Sequence, residues 1–159
     1  MRTHTHTAQD TEEFASRFAL ARPAHAYELA VLYLEGELGA GKTTFARGFL
    51  RALGVTQPVR SPTFTFMELY PAGALTVLHV DLYRLHEPSE LDALGLRDWA
   101  RPQYLWLIEW PEKGAGRLPP ADLTLGFSVG EAGHDITVTA ESALGGAWLV
   151  QLPGEERHA

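Results

Sequence analysis

Eight residues, Gly36-Glu37-Leu38-Gly39-Ala40-Gly41-Lys42-Thr43, restrict the fold more than any other stretch of the chain. They fit the phosphate-binding pattern G-x-x-x-x-G-K-[ST], which carries meaning only between a strand and a helix. Both flanks comply: residues 29–34 are apolar and β-prone, and residues 44–53 carry a helical apolar pattern. Glycines let the backbone curl so that successive N–H groups converge on phosphate oxygens. The helix start adds the positive end of its dipole. In this pattern Lys42 reaches the β- and γ-phosphates and the Thr43 hydroxyl ligates magnesium. Gly39, Ala40, Gly41 and Thr44 complete the expected cradle. A chance glycine-rich turn with a surface lysine is the competing reading, and the agreement of motif with context disfavours it.

The remaining composition narrows the setting. A chain of 159 residues suits one domain over 1–159, with 1–6 and 154–159 expected as loose tails. Apolar residues at 45% and charged residues at 21% are ordinary for a globular protein. The absence of cysteine excludes disulfides and thiolate metal sites. No apolar run reaches the ~18 residues of a spanning helix, and Met1 to His6 lack the apolar centre of a secretory signal. The expectation is a soluble cytoplasmic protein with no membrane partner. A net charge of −7 argues against a direct grip on nucleic acid, which needs a basic surface. Of the 13 Lys and Arg residues only Lys42 and Lys113 are lysine, so a lysine in the loop stands out.

Along the chain, Asp10 with Glu13 resembles a capping box opening a helix whose apolar face holds Phe14 and Phe18. Arg22-Pro23 ends it. Residues 30–34 read as a buried strand entering the loop, and Phe45, Phe49, Leu50 and Leu53 as the core face of the next helix. Residues 63–70 and 75–82 alternate with period 2 about Pro71-Ala72-Gly73-Ala74, a hairpin signal. A short helix is expected over 89–95, with Ser89 as cap and Gly95 as stop. Residues 104–110 form a second apolar strand. Three short strands are expected after it, at 123–129, 135–140 and 148–152. The fold class is therefore α/β and phosphate-loop NTPase-like: a mixed, mainly parallel sheet flanked by helices, with antiparallel strands toward the C-terminus.

A phosphate loop needs a metal partner and a group that places the attacking water or hydroxyl. Residues 105–109 end an apolar strand in Glu109, a carboxylate suited to magnesium; a turn cap or an arginine pair is the plainer alternative. On a strand, His79, Asp81 and Tyr83 share one face while Val80 and Leu82 share the other. Asp81 is suited to bind magnesium through water or to orient the attacking water, and a solvated hairpin face is the plainer reading. Ser61-Pro62-Thr63-Phe64 lies where a segment sensing the γ-phosphate is expected; a proline-broken entry to the next strand is the equal alternative. Trp110 either covers the site, forms an interaction surface or packs in the core.

The guanine motif Asn/Thr-Lys-x-Asp is missing: Lys113-Gly114-Ala115-Gly116 has no such aspartate. That turns the nucleotide toward ATP. A small-metabolite kinase with Arg97 and Arg101 in a phosphate lid is the alternative to a nucleotide-dependent switch without an acceptor.

Taken together, the loop through Phe45, Ser61-Pro62-Thr63-Phe64, His79-Val80-Asp81-Leu82-Tyr83-Arg84 and Glu109-Trp110-Pro111 closely resemble the TsaE (YjeE) family over about residues 7 to 140. The resemblance implies an ATPase needed for threonylcarbamoyladenosine (t6A) modification at adenosine 37 of tRNAs that read codons beginning with adenine. It implies ATP and Mg2+ as ligands, and TsaB- and TsaD-like proteins as partners through which tRNA is met only indirectly. Thr43 and Glu109 match the family's magnesium positions, and Asp81 its catalytic aspartate beside Lys42. Thr7 and Thr11 match a segment near the adenine. Where the family often has an arginine after a glycine at the pocket edge, this chain has His134 after Gly133.

Overall fold

Seven strands make one sheet in the computed structural model, which describes residues 1–24 and 28–152. They are β1 (Arg2–Thr5), β2 (Ala30–Gly36), β3 (Met67–Ala72), β4 (Leu75–Asp81), β5 (Tyr104–Glu109), β6 (Leu123–Gly130) and β7 (Gly133–Ala140). Their order is β1-β7-β6-β2-β5-β4-β3. The middle four strands, β6-β2-β5-β4, pair in parallel. The flanking pairs β3–β4, β6–β7 and β1–β7 are antiparallel. The mixed α/β class expected from the sequence is the class observed. Strands buried on both faces read as continuous apolar runs, and Ala30 to Leu32 and Leu105 to Ile108 are such runs.

Three helices, α1 (Ala8–Leu20), α2 (Lys42–Ala52) and α3 (Ala143–Gln151), cover one face. Their aromatic side chains meet there: Phe45 stands 5.7 Å from Phe18 and from Phe127, and Phe18 stands 5.4 Å from Trp148 between ring centroids. Beneath them lie Leu32, Leu34, Leu105, Leu107 and Leu125. α1 and α2 approach so closely that a Cβ on Gly48 would lie 2.6 Å from the Glu12 backbone. The opposite face buries Leu78, Val80, Trp106 and Ile108 under Leu82, Leu91 and Leu96, carried by the 3₁₀ segments Pro88–Leu94 and Leu96–Trp99 and the turn before them. Among the described residues no helix is long and apolar enough to cross a membrane.

Several expectations are corrected. Residues 2–5, read as part of a loose tail, form β1, with Thr3 and Thr5 buried against the sheet and His4 outside. His4 Nδ1 meets Asp135 Oδ1 at 2.9 Å, and His4 Nε2 and His6 Nδ1 meet the Ala132 carbonyl at 3.0 and 3.1 Å. The other expected tail, 154–159, lies outside the described residues. α1 opens earlier than Asp10. Thr7 is its cap, accepting from Asp10 N–H at 3.1 Å while Asp10 accepts from Thr7 N–H at 3.0 Å, so this reciprocal pair takes the place of Asp10–Glu13. The strand expected over 63–70 starts only at Met67, because Phe66 takes φ 65° and breaks the extended run. Glu87 rather than Ser89 caps the segment ending at Gly95. The strand expected at 148–152 is the end of α3. Ser142 caps that helix through Gly145 N–H at 3.1 Å, and Trp148 Nε1 donates to the Phe18 carbonyl at 2.8 Å. A five-residue apolar run does not distinguish the two periods by itself.

Both ring nitrogens of His4 face oxygen acceptors, which suits the imidazolium. Its pKa is raised, first by the hydrogen bond to Asp135 and then by the Ala132 carbonyl. A raised folded pKa contributes stability that is full below the unfolded value of about 6.5 and lost as pH climbs through the folded value. The Tm advantage of the wild type over His4→Ala is therefore expected to be larger at pH 6 than at pH 9. An equal advantage at both would contradict a charged anchor.

Candidate functional site

Parallel register sets the site. Glu109, the last residue of β5, is paired with Leu34 of β2 on one side and Asp81, the last residue of β4, on the other. The loop leaves β2 at the same sheet edge. Ligands in α/β sheets bind beyond the carboxyl ends of such strands, and a cavity of about 250 Å³ opens there. Its walls include Gly39, Gly41, Lys42, Thr43 and Thr44 from the loop, Asp81, Glu109 and Trp110 from the strand ends, Thr11 of α1 and His134 of β7.

Most of the residues singled out from the sequence thus converge. Of those expected at the nucleotide, the metal or the attacking water, two do not line the cavity. Ala40 is fully buried and its N–H is spent on the Glu37 carbonyl at 3.1 Å. Thr7 is occupied in capping α1, whereas Thr11, one turn on, is buried with its hydroxyl 2.8 Å from that of Thr5. Arg97, one of the two lid candidates, lines a separate cavity with Arg117 and Leu91.

Gly41 opens α2 at φ 108°, a conformation that favours glycine and lets the helix begin directly at Lys42. Lys42 is buried and folds back over the loop. Its Nζ donates to the Gly36 carbonyl and, at 3.2 Å, to the Glu37 carbonyl, and lies 3.9 Å from the centre of the Trp110 ring. Burial lowers its pKa, outweighing the opposite pull of Glu109, Glu112, Asp81 and Glu37. The Thr43 hydroxyl donates to Glu109 Oε1 at 2.9 Å, which joins the two residues expected at a metal. Asp81 is held too: Ser61 Oγ donates to its Oδ2, and the Tyr83 N–H donates to its Oδ1 at 2.9 Å.

Sequence reasoning missed three contacts. Ser61 on Asp81, Trp110 on Lys42, and His79 Nε2 on Glu109 Oε2 at 2.6 Å each link segments far apart in the chain. For His79 the available signal was its place two residues before Asp81 on the same strand face.

The donor set fits magnesium. Thr43 and Glu109 offer hard oxygens, and soft thiolate ligands are absent. Magnesium keeps several waters and shares its shell with substrate phosphates, so it needs few protein ligands. Two buried carboxylates beside a phosphate loop would also repel a polyphosphate without a cation between them.

Known proteins resemble this chain over most of its length. Residues 5–136 match the family model described as threonylcarbamoyl adenosine biosynthesis protein TsaE. The tRNA threonylcarbamoyladenosine biosynthesis protein TsaE of Haemophilus influenzae is 40% identical over 133 residues, covering 83% of this chain and 84% of that one. The protein of the same name from Treponema pallidum is 34% identical, with 87% and 99% covered. The crystal structure of YdiB from Bacillus subtilis superposes with a TM-score of 0.78 at 33% identity, over 96% of this chain and 93% of the other.

Trp110 holds its ring over Lys42 from a left-handed backbone, φ 59° and ψ 48°. That conformation costs a non-glycine residue roughly 1–2 kcal/mol. Trp110→Ala and Trp110→Gly both remove the ring, so their difference reads the backbone. Urea unfolding is expected to find the glycine variant more stable by about 1 kcal/mol, and equal stabilities would contradict the strained conformation.

Proposed function

The chain belongs to the TsaE family, and from that premise we propose that it is a magnesium-dependent ATPase acting in t6A formation on tRNA. ATP binds with its phosphates on the loop from Gly39 to Thr44. Lys42 leaves the Gly36 and Glu37 carbonyls for the β- and γ-phosphates. Thr43 and Glu109 would hold magnesium, which would supply countercharge to the phosphates. Asp81 accepts a hydrogen bond from the attacking water once Ser61 releases it, and orients that water toward the γ-phosphorus. Thr11 and His134 line the side of the cavity where the base is expected. The products are ADP and inorganic phosphate.

The observation that carries this reading is the hydroxyl–carboxylate contact of Thr43 and Glu109 at the mouth of a glycine-rich loop. Hydrolysis drives or resets a complex with TsaB- and TsaD-like proteins in the cytoplasm, and turnover by the isolated chain is slow. The chain's net charge of −7 leaves tRNA to be held by those partners. A phosphoryl acceptor is disfavoured, because Arg97 lines a cavity other than that of the loop.

One set of measurements tests the reading. Lys42→Ala is expected to abolish ATP binding by calorimetry. Retention of affinity within about threefold, under about 0.7 kcal/mol, would sink the loop assignment. Asp81→Ala is expected to bind ATP normally and hydrolyse it at least about tenfold more slowly, a barrier increase of about 1.4 kcal/mol; unchanged turnover makes Asp81 structural. In a reconstituted mixture with the two partners, t6A formation should follow phosphate release to water. Phosphate transfer to a small hydroxylated metabolite instead would favour the kinase alternative.

A further inference from the structure

His79 is a polar residue in an apolar place. It lies on the helix-facing side of β4, between Val77 and Asp81 in the alternation, with Leu107 opposite it on β5. Its side chain is fully buried, and its Nδ1 has no hydrogen-bond partner among the described residues. Packing alone therefore does not account for an imidazole here, where Leu or Val would fill space without leaving a buried polar atom unpaired. Among the described residues its side chain makes one hydrogen bond, the 2.6 Å contact from Nε2 to Glu109 Oε2. A carboxylate oxygen accepts, so Nε2 carries the proton.

The consequence lies in the carboxylate. Glu109 Oε2 is tied to β4, while Oε1 faces Thr43. The terminal torsion of a glutamate is otherwise broad, so without His79 the plane of the carboxylate would turn more freely beside Thr43. We propose that His79 is a positioning residue that locks the plane of the Glu109 carboxylate with one oxygen turned toward Thr43, thereby presetting the magnesium site. It touches neither metal nor nucleotide and acts through Glu109. The inference rests on the reading of Glu109 as a magnesium ligand given above. Partners that orient metal ligands in this way are typically worth about 10–100-fold in metal affinity.

The test is Mn2+ binding by electron paramagnetic resonance to the full chain with a non-hydrolysable ATP analogue, alongside analogue affinity in EDTA. His79→Leu is expected to weaken Mn2+ by about 10–100-fold while metal-free analogue affinity stays within about twofold, under about 0.4 kcal/mol. His79→Gln places an amide N–H near the position of Nε2 and should recover Mn2+ affinity to within about threefold, or about 0.7 kcal/mol. His79→Asn places its amide nearer the Nδ1 position and should not. Mn2+ affinity of His79→Leu within twofold of wild type overturns the proposal. Should His79→Leu fail to fold, the Gln and Asn variants decide it, and equal Mn2+ affinities for the two overturn it. Glu109→Gln separates the two levels. If it leaves Mn2+ affinity unchanged, the metal-ligand reading falls and this proposal with it. If it weakens Mn2+ while His79→Leu does not, only the role of His79 falls.

Discussion

Parallel pairing of β4, β5 and β2 in register is the constraint on which the site depends. A parallel ladder puts the carboxyl ends of its strands on one edge, and here that edge carries Asp81, Glu109 and the start of the glycine loop. Shifting a strand by one residue would turn every side chain to the other face. Leu105 and Leu107 would leave the helix-covered core, and Glu109 would leave Thr43. The apolar core and the polar site are thus fixed by the same register, and the hydrophobic burial that specifies one specifies the other.

Within that frame, charged groups are buried before any ligand arrives. Lys42, Asp81 and Glu109 are each at most 5% exposed. Each is satisfied locally: Lys42 by loop carbonyls and the Trp110 ring, Asp81 by Ser61 and a backbone N–H, Glu109 by Thr43 and His79. Removing one partner of a buried charge is far more costly than the net worth of the pair. The protein therefore keeps these charged groups desolvated and oriented, and under the proposed function phosphates, metal and water replace their contacts. Left-handed backbone at Trp110 and at Phe66 sits beside these contacts, where strain is commonly stored.

What the sequence made legible was local. Glycine spacing with Lys42 and Thr43 fits within eight residues, and the apolar strands ending in Asp81 and Glu109 announce their own ends. The central sheet followed from those runs. Contacts set by distant register were not legible. His79 and Glu109 lie 30 residues apart and meet only because β4 and β5 are neighbours. β1 was missed because its alternation of Thr3 and Thr5 with Arg2 and His4 becomes apolar-in, polar-out only against β7. Trp148 to Leu152 was misread because a short apolar run fits either period, and the deciding groups, the Ser142 cap and the Phe18 carbonyl, lie outside it. Thr7 was assigned toward the base, and its hydroxyl is instead spent on the start of α1.

The central claim is that Thr43 and Glu109 hold magnesium while Lys42 moves from the loop carbonyls to the phosphates. A crystal structure of the chain with Mg2+ and a non-hydrolysable ATP analogue tests it most directly. The account predicts Thr43 Oγ1 in the metal's shell, Glu109 bound to the ion directly or through one water, and Lys42 Nζ on the β- and γ-phosphates. A complex in which Lys42 still bonds the Gly36 and Glu37 carbonyls, or in which the metal sits away from Thr43 and Glu109, would contradict it.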